Sequence, residues 1–295
     1  MIKRPIVVIA GCTASGKSDI AIKLAKEIDG VIINADSRQV YKEISIGTAK
    51  PTAENIESDI LIVDGIKHYL YSYISVKEDY NLYRYQQDVF ALLEKLPEDV
   101  VPILVGGTGL YIDSVVYNYK LKKEKQSNED VNLDSLSIED LQKLVGEEKL
   151  KELNESDKQN PRRLIHILKH GLPSIEKGEP LNHLYFFLDI EGEEIKRNVR
   201  LRVDRMVANG LIEENERIRK EKLNTYPALN TIGYREFDEY FEGGKTIDEL
   251  KEDIITHTNQ YVKRQRTWFR RNKDIIYAKD FKTILDTSNT YLHSI

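Results

Sequence analysis

Along the chain, short apolar runs alternate with stretches in which apolar residues recur every three or four positions. The β-branched run at residues 6–9 meets a glycine-bracketed loop, after which Ile20, Ala21, Leu24, Ala25 and Ile28 keep helical spacing, so strand, loop and helix are predicted in that order. Further strand-like runs fall at 30–34, 59–64 and 101–105. Tyr85, Val89, Leu92, Leu93 and Leu96 line one face of a helix that Pro97 stops. Between 119 and 184 charged residues dominate and strand-like runs vanish, while Leu141, Leu144, Val145, Leu150 and Leu153 mark short amphipathic helices. A strand pattern returns at 185–190. A helix over 195–209 that Gly210 ends, a long helix over 246–271 and a last strand at 275–277 follow. This alternation predicts an α/β protein: a catalytic body of 1–118 and 185–295, with 119–184 as a small all-helical insertion domain.

Composition narrows the class. No apolar run approaches the roughly 20 residues of a membrane span, and the residues before Gly11 form too short an apolar run for a signal peptide. The single cysteine, Cys12, excludes an internal disulfide, so a cytoplasmic protein is expected, without membrane association and with no obligate protein partner called for. A net charge of −5 argues against coating nucleic acid with the whole surface. Residues 263–273 nevertheless carry Lys263, Arg264, Arg266, Arg270, Arg271 and Lys273 with no acid, interleaved with Trp268 and Phe269, and phosphate backbones are the expected partner of such a cluster.

The glycine-bracketed loop carries chemistry. Gly11, Cys12, Thr13, Ala14, Ser15, Gly16, Lys17 and Ser18 form the Gly-x-x-x-x-Gly-Lys-Ser pattern between strand and helix. Its glycines let backbone N–H groups turn toward a polyphosphate, Lys17 adds a charge and the Ser18 hydroxyl can hold Mg²⁺. The fold expected around it is a P-loop NTPase-like parallel sheet flanked by helices, and by motif alone the loop accommodates ATP. In such a sheet ligands sit beyond the carboxyl ends of the strands, so Asp36 faces the same crevice as a candidate base, with a helix cap as the alternative. Asp64, after the third apolar run, is a weaker candidate magnesium ligand. Thr108 presents a hydroxyl beside Gly106 and Gly107, or else caps the next helix. Arg162 and Arg163, in the opening turn of a helix that Pro161 starts, oppose the helix dipole, which hints at a ligand, with a solvated face as the alternative that any charge pair favours.

Taken in order, Gly-x-Thr-Ala-Ser-Gly-Lys-Ser, Asn-Ala-Asp-Ser-Arg-Gln-Val-Tyr, Gly-Thr-Ala-Lys-Pro, Val-Gly-Gly-Thr-Gly-Leu-Tyr, Arg-Val-Asp-x-Met-x-x-x-Gly-Leu, Ile-Gly-Tyr-Arg-Glu and Gln-Tyr-x-Lys-Arg-Gln-x-Thr-Trp-Phe-Arg resemble the bacterial tRNA dimethylallyltransferases. The resemblance covers nearly the whole chain. It implies transfer of a dimethylallyl group from its diphosphate to the exocyclic amine of the adenine 3′ to the anticodon. It further implies that Asp36 accepts the amine proton, Thr108 hydrogen-bonds near the bridging oxygen, and the backbone of Thr13 to Ser18 holds the diphosphate with Lys17, Arg202 and Mg²⁺. tRNA contacts are expected from Asp36, Ser37, Arg38 and Gln39, from Asn160, Pro161, Arg162, Arg163 and Leu164, from Gly233, Tyr234 and Arg235, and from Lys263, Arg264, Gln265 and Trp268. A P-loop small-molecule kinase and a prenyltransferase of free adenine nucleotides are the alternatives. The chain departs from the family pattern at His68-Tyr69-Leu70-Tyr71-Ser72, where the family usually shows His-His-Leu-x-x-Asp, and at Asn259, where arginine is usual.

Overall fold

The structure, a computed structural model, describes residues 4–121, 133–171 and 176–294. The chain divides into two compact units, one of residues 1–118 and 179–295 and one of residues 119–178.

The first unit begins with β1 (Ile6–Gly11), α1 (Lys17–Glu27) and β2 (Gly30–Asn34), followed by β3 (Asn55–Glu57), β4 (Ile60–Val63) and β5 (Ile66–Tyr69). α2 (Leu82–Lys95), β6 (Val101–Gly106) and α3 (Gly109–Val116) complete its first half. The second unit holds α4 (Ile138–Val145), α5 (Glu147–Lys151), α6 (Glu155–Lys158) and α7 (Pro161–His170). The first unit resumes with β7 (His183–Leu188), α8 (Gly192–Ala208), α9 (Leu211–Lys220), α10 (Phe237–Phe241), α11 (Ile247–Phe269), β8 (Ile276–Ala278) and α12 (Phe281–His293).

One sheet runs in the order β3-β4-β5-β2-β6-β1-β7-β8. β1 pairs in parallel with β6 and β7, β2 with β5 and β6, and β7 with β8. Every residue of β1 and β2 is buried, as their unbroken apolar runs require of strands covered on both faces. The shared strand direction brings the segments after β1, β2 and β6 to one edge, where ligands of open α/β sheets bind.

The sheet is mixed rather than wholly parallel. β4 runs antiparallel to both β3 and β5, and Asp64 sits in the β4–β5 turn with φ of 49°. Its carboxylate is exposed and lies 3.9 Å from Lys26 Nζ, so it is no strand-end magnesium ligand. The chain also continues past the last expected strand: α12 is capped by Asp280, whose side chain accepts from the Thr283 amide, and buries Ile284 in the core shared with Leu24 and Ile28 of the α1 region.

The second unit has a core of its own from Leu141, Val145, Leu153, Leu164 and Ile167. It ends at Gly178, because Leu181 is already buried in the first unit with its amide on the Val116 carbonyl. Residues 122–132 and 172–175 of the expected insertion lie outside the described residues.

Candidate active site

The phosphate loop leaves β1 and enters α1 through Gly16, whose φ of 78° is open to glycine at little cost. Ala14 also has a positive φ, 61°. The Ser15 amide donates to the Cys12 carbonyl at 3.3 Å, while the buried Ser15 hydroxyl has no hydrogen-bond partner. Lys17 Nζ donates to the Cys12 carbonyl at 3.3 Å. Burial pushes its ammonium down to about 8, against the pull of Asp36 and with the push of Arg202. A buried cation without a paired carboxylate, beside the amino end of an 11-residue helix, makes an anion site.

The expected cradle needs one correction. The Thr13 amide is already committed, donating to Oε1 of Gln265 at 3.0 Å, while Nε2 of the same side chain donates to the Gly107 carbonyl at 2.9 Å. Gln265 therefore joins the phosphate loop to the loop after β6, and it is 4% exposed. A Cβ at Gly107 would stand 2.3 Å from its Nε2, which explains the glycine there. The Gln265 amide is thus spent on these two loops, and the anion cradle starts at Ala14.

Asp36 follows β2 and is held at both ends by Asn34, which is fully buried. The Asp36 amide donates to Asn34 Oδ1 at 2.9 Å, and Asn34 Nδ2 donates to the Asp36 carbonyl at 3.1 Å. One carboxylate oxygen, Oδ1, accepts from the Arg38 amide at 2.9 Å in a turn that does not become a helix. Thr108 stands at the start of α3 but makes no side-chain cap bond. Its Oγ1 instead accepts from the Ser37 amide at 3.1 Å, which sets the hydroxyl beside the Asp36 turn. Tyr261, whose phenol burial and the nearby Asp36 push up to about 12, hydrogen-bonds to Thr108.

Arg202 approaches from α8. Its Nη2 donates to the Thr48 carbonyl at 3.3 Å, and that carbonyl also accepts from Gln39 Nε2 at 2.9 Å. The loop that carries Thr48 hangs on a buried carboxylate with no counterpart in the sequence-based expectations. Glu214 of α9 accepts from the amides of Ser45 at 2.9 Å, Ile46 at 3.0 Å and Gly47 at 3.1 Å, and from the Tyr234 hydroxyl at 2.6 Å. Tyr234 is 4% exposed, so its ring serves this loop and not an RNA. Glu236 repeats the device, accepting from the Gly233 amide and from Arg235 Nε.

These elements enclose a cavity of about 260 Å³ lined by Thr13, Lys17, Asp36, Ser37, Arg38, Thr48, Arg202, Gly233, Arg235, Arg264 and Gln265. Val199, Val203, Met206 and Ile254 supply an apolar side to it. Five basic side chains, Lys17, Arg38, Arg202, Arg235 and Arg264, thus share the cavity with one carboxylate, Asp36, and an apolar side, an arrangement that can hold a polyphosphate ester and take a proton. Among the described residues no group of three or more His, Cys, Asp or Glu side chains could hold a metal ion, and no helix is long and apolar enough to cross a membrane.

The basic end of α11 divides by direction. Lys263, Arg264 and Arg270 are exposed, with the Arg264 guanidinium 5.6 Å from the Tyr261 ring centre. Trp268 turns inward: its Nε1 donates to Asp113 Oδ2 at 2.9 Å, and its ring is packed so closely on Gly109 that a Cβ there would lie 2.2 Å from it. In the second unit Asn160 caps α7, Pro161 occupies its first turn and Arg162 is exposed, but Leu164 is fully buried in that unit's core and cannot touch RNA through its side chain. Arg163 Nε lies 3.9 Å from Asp157.

The family model described as IPP transferase matches residues 39–272. The chain belongs to that family. A second model, isopentenyl transferase, matches residues 4–63, which include the phosphate loop. Curated relatives of the chain include the tRNA dimethylallyltransferase of Acholeplasma laidlawii, 36% identical over 90% of this chain and 89% of the relative. That of a Picosynechococcus species is also 36% identical, over 92% of each. Among solved structures, the full-length tRNA isopentenylpyrophosphate transferase of Bacillus halodurans superposes with a TM-score of 0.74 at 28% identity, covering 99% of this chain and 98% of the other. A eukaryotic dimethylallyltransferase structure shares the fold with a TM-score of 0.77 at 24% identity.

Proposed function

We propose that the chain transfers a dimethylallyl group from dimethylallyl diphosphate to the exocyclic amine of the adenine 3′-adjacent to the anticodon in tRNA, releasing diphosphate. The observation that carries this reading is the single cavity in which Lys17 and Arg202 face Asp36, in a member of a family whose relatives are named for tRNA dimethylallyl transfer.

The diphosphate lies on the amides that open α1, with Lys17 and Arg202 stabilising the charge that grows on it as the allylic carbon–oxygen bond breaks. The electron pair of that bond leaves with the diphosphate. The adenine amine forms the new carbon–nitrogen bond, and its proton passes to Asp36. Oδ1 of Asp36 is engaged by the Arg38 amide, so Oδ2 is the accepting oxygen. Thr108 Oγ1 donates toward the bridging oxygen while still accepting from Ser37.

Ser18, exposed at the second position of α1, would offer its hydroxyl oxygen to a Mg²⁺ bound with the diphosphate. When bound, that ion adds charge neutralisation to the leaving diphosphate.

An adenine stacked in an anticodon arm must be extruded to reach this cavity. Ser37, Arg38 and Gln39 receive it, and Gly233 and Arg235 close over the opposite side. Lys263, Arg264 and Arg270, together with Asn160, Arg162 and Arg163 of the second unit, hold the RNA backbone. The cytoplasm, where tRNA is used, is the compartment this reading assigns.

Incubation with radiolabelled dimethylallyl diphosphate, Mg²⁺ and unmodified tRNA tests the reading. Label in the RNA, located at the adenine after the anticodon, is expected. Hydrolysis of ATP with phosphorylation of an acceptor, and no label in RNA, would overturn it in favour of a kinase.

A further inference from the structure

Beside the small cavity lies a second of about 980 Å³, which has Ile46, Pro51, Ala53 and Leu201 on its apolar side and Lys50 and Arg205 on its polar side, and which borders the phosphate loop at Ala14 and Gly16. The two cavities share two lining side chains, Arg202 and Met206, which stand one helical turn apart on α8. Between them the loop after residue 44 alternates: Gly47 and Thr48 face the small cavity, Ser45, Ile46 and Ala49 the large one. The partition is stiff, because Glu214 accepts from three successive amides of that loop. A ligand cannot push it aside without stranding a buried carboxylate.

α8 runs away from the phosphate loop. Asn198 Nδ2 donates to the Ala14 carbonyl at 3.3 Å, which fixes the near end, and Val199, Val203 and Met206 then line the small cavity in succession. All three are buried. At about 1.5 Å of rise per residue, Met206 lies roughly 10 Å along the helix from Val199. With carbon–carbon bonds of about 1.5 Å, an extended isoprene unit is about 5 Å long, so a five-carbon tail ends near Val203 and a ten-carbon tail reaches Met206.

On the reading that the small cavity binds an allylic diphosphate, we infer that Met206 sets the length of the prenyl donor: its side chain lines both cavities and walls the tail site off from the larger, mixed polar and apolar space. A shorter side chain at this position joins the two cavities and gives a second isoprene unit somewhere to go. The chemistry is unchanged by tail length, since the same carbon–oxygen bond breaks and the same amine is alkylated.

The test is a competition. Purified protein, Mg²⁺ and unmodified tRNA are given equal concentrations of dimethylallyl and geranyl diphosphate, and the ratio of the two groups in the RNA is measured. The ratio is independent of how much of each preparation is folded. The wild-type chain should transfer the five-carbon group almost alone, whereas Met206→Ala should move the ratio toward geranyl at least tenfold and Met206→Val by less. An unchanged ratio in both variants, or comparable transfer of both donors by the wild type, would sink the inference while leaving the proposed function standing. Should the variants transfer nothing, inhibition of wild-type transfer decides: geranyl diphosphate should compete no better than inorganic diphosphate, and tighter competition than that overturns the gate. No prenyl transfer by the wild type with either donor would instead fell the functional reading itself.

Discussion

The amide of Thr13 donates to Oε1 of Gln265 at 3.0 Å, across a sequence separation of 252. Through Nε2 the same side chain reaches the Gly107 carbonyl. One glutamine on α11 thus sets the spacing between the phosphate loop and the loop that carries Thr108. Gln265→Ala should lower turnover on the order of 10 to 100-fold, since small misplacements of reacting groups are costly. tRNA affinity should be retained, because the exposed cations of α11 remain. Equilibrium binding and single-turnover rates on the same variant check this; a loss confined to tRNA binding would place Gln265 at the RNA instead.

Asp36→Asn separates a base from a turn-forming residue. Asparagine Oδ1 can still accept from the Arg38 amide, so the fold and both substrate affinities should survive. Turnover should fall on the order of 10² to 10⁴-fold with loss of the basic oxygen. Normal turnover by this variant would assign the proton to water.

Lys17 bears on stability as well as binding. Its folded-state value of about 8 lies below the ordinary 10.5, so between these limits the unfolded chain holds a proton that the folded chain has released. Stability therefore rises with pH across that window, and below pH 8 the full cost of burying the ammonium is present. Lys17→Met should raise the melting temperature at pH 7 and should lose that advantage as pH approaches 10.5. Binding of diphosphate should be abolished by the same change. Thermal melts from pH 6 to 10, with calorimetric titration of diphosphate, measure both effects.

Salt dependence reports on the exposed cations of α11. Replacing Lys263 and Arg270 by alanine should reduce the slope of log affinity for tRNA against log salt by about one per cation, with turnover at saturating tRNA unchanged. A fall of ~100-fold in the saturated rate would tie these side chains to chemistry rather than to positioning.

Local motifs made the phosphate loop, Asp36 and Thr108 legible as candidates, because each lies at a strand end or in a fixed spacing that chemistry demands, whereas Arg202, in the middle of α8, entered only through the family resemblance. The family resemblance places Tyr234, Gln265, Trp268 and Leu164 among the RNA contacts, yet their side chains are turned inward. A polar residue in an amphipathic helix is legible as buried only when its partner is known, and the partners of Gln265 come from the other end of the chain. Glu214 was invisible for the same reason, lying among Glu213 and Glu216 in what reads as a solvated acidic face. The β4–β5 hairpin did leave a signal, Asp64-Gly65 between two apolar runs, which is the two-residue turn that such hairpins favour.

Strand order governs when the molecule can begin to work. β1 leaves the ribosome well before either of its partners, because Val7 takes its neighbours from Ile103 on one side and Leu184 on the other. β2 to β5 can pair among themselves, but β1 has no neighbour until β6 is made, and the reacting groups come together only after most of the message has been translated. A half-made chain cannot consume an allylic diphosphate, and competence arrives with the folding of the final third.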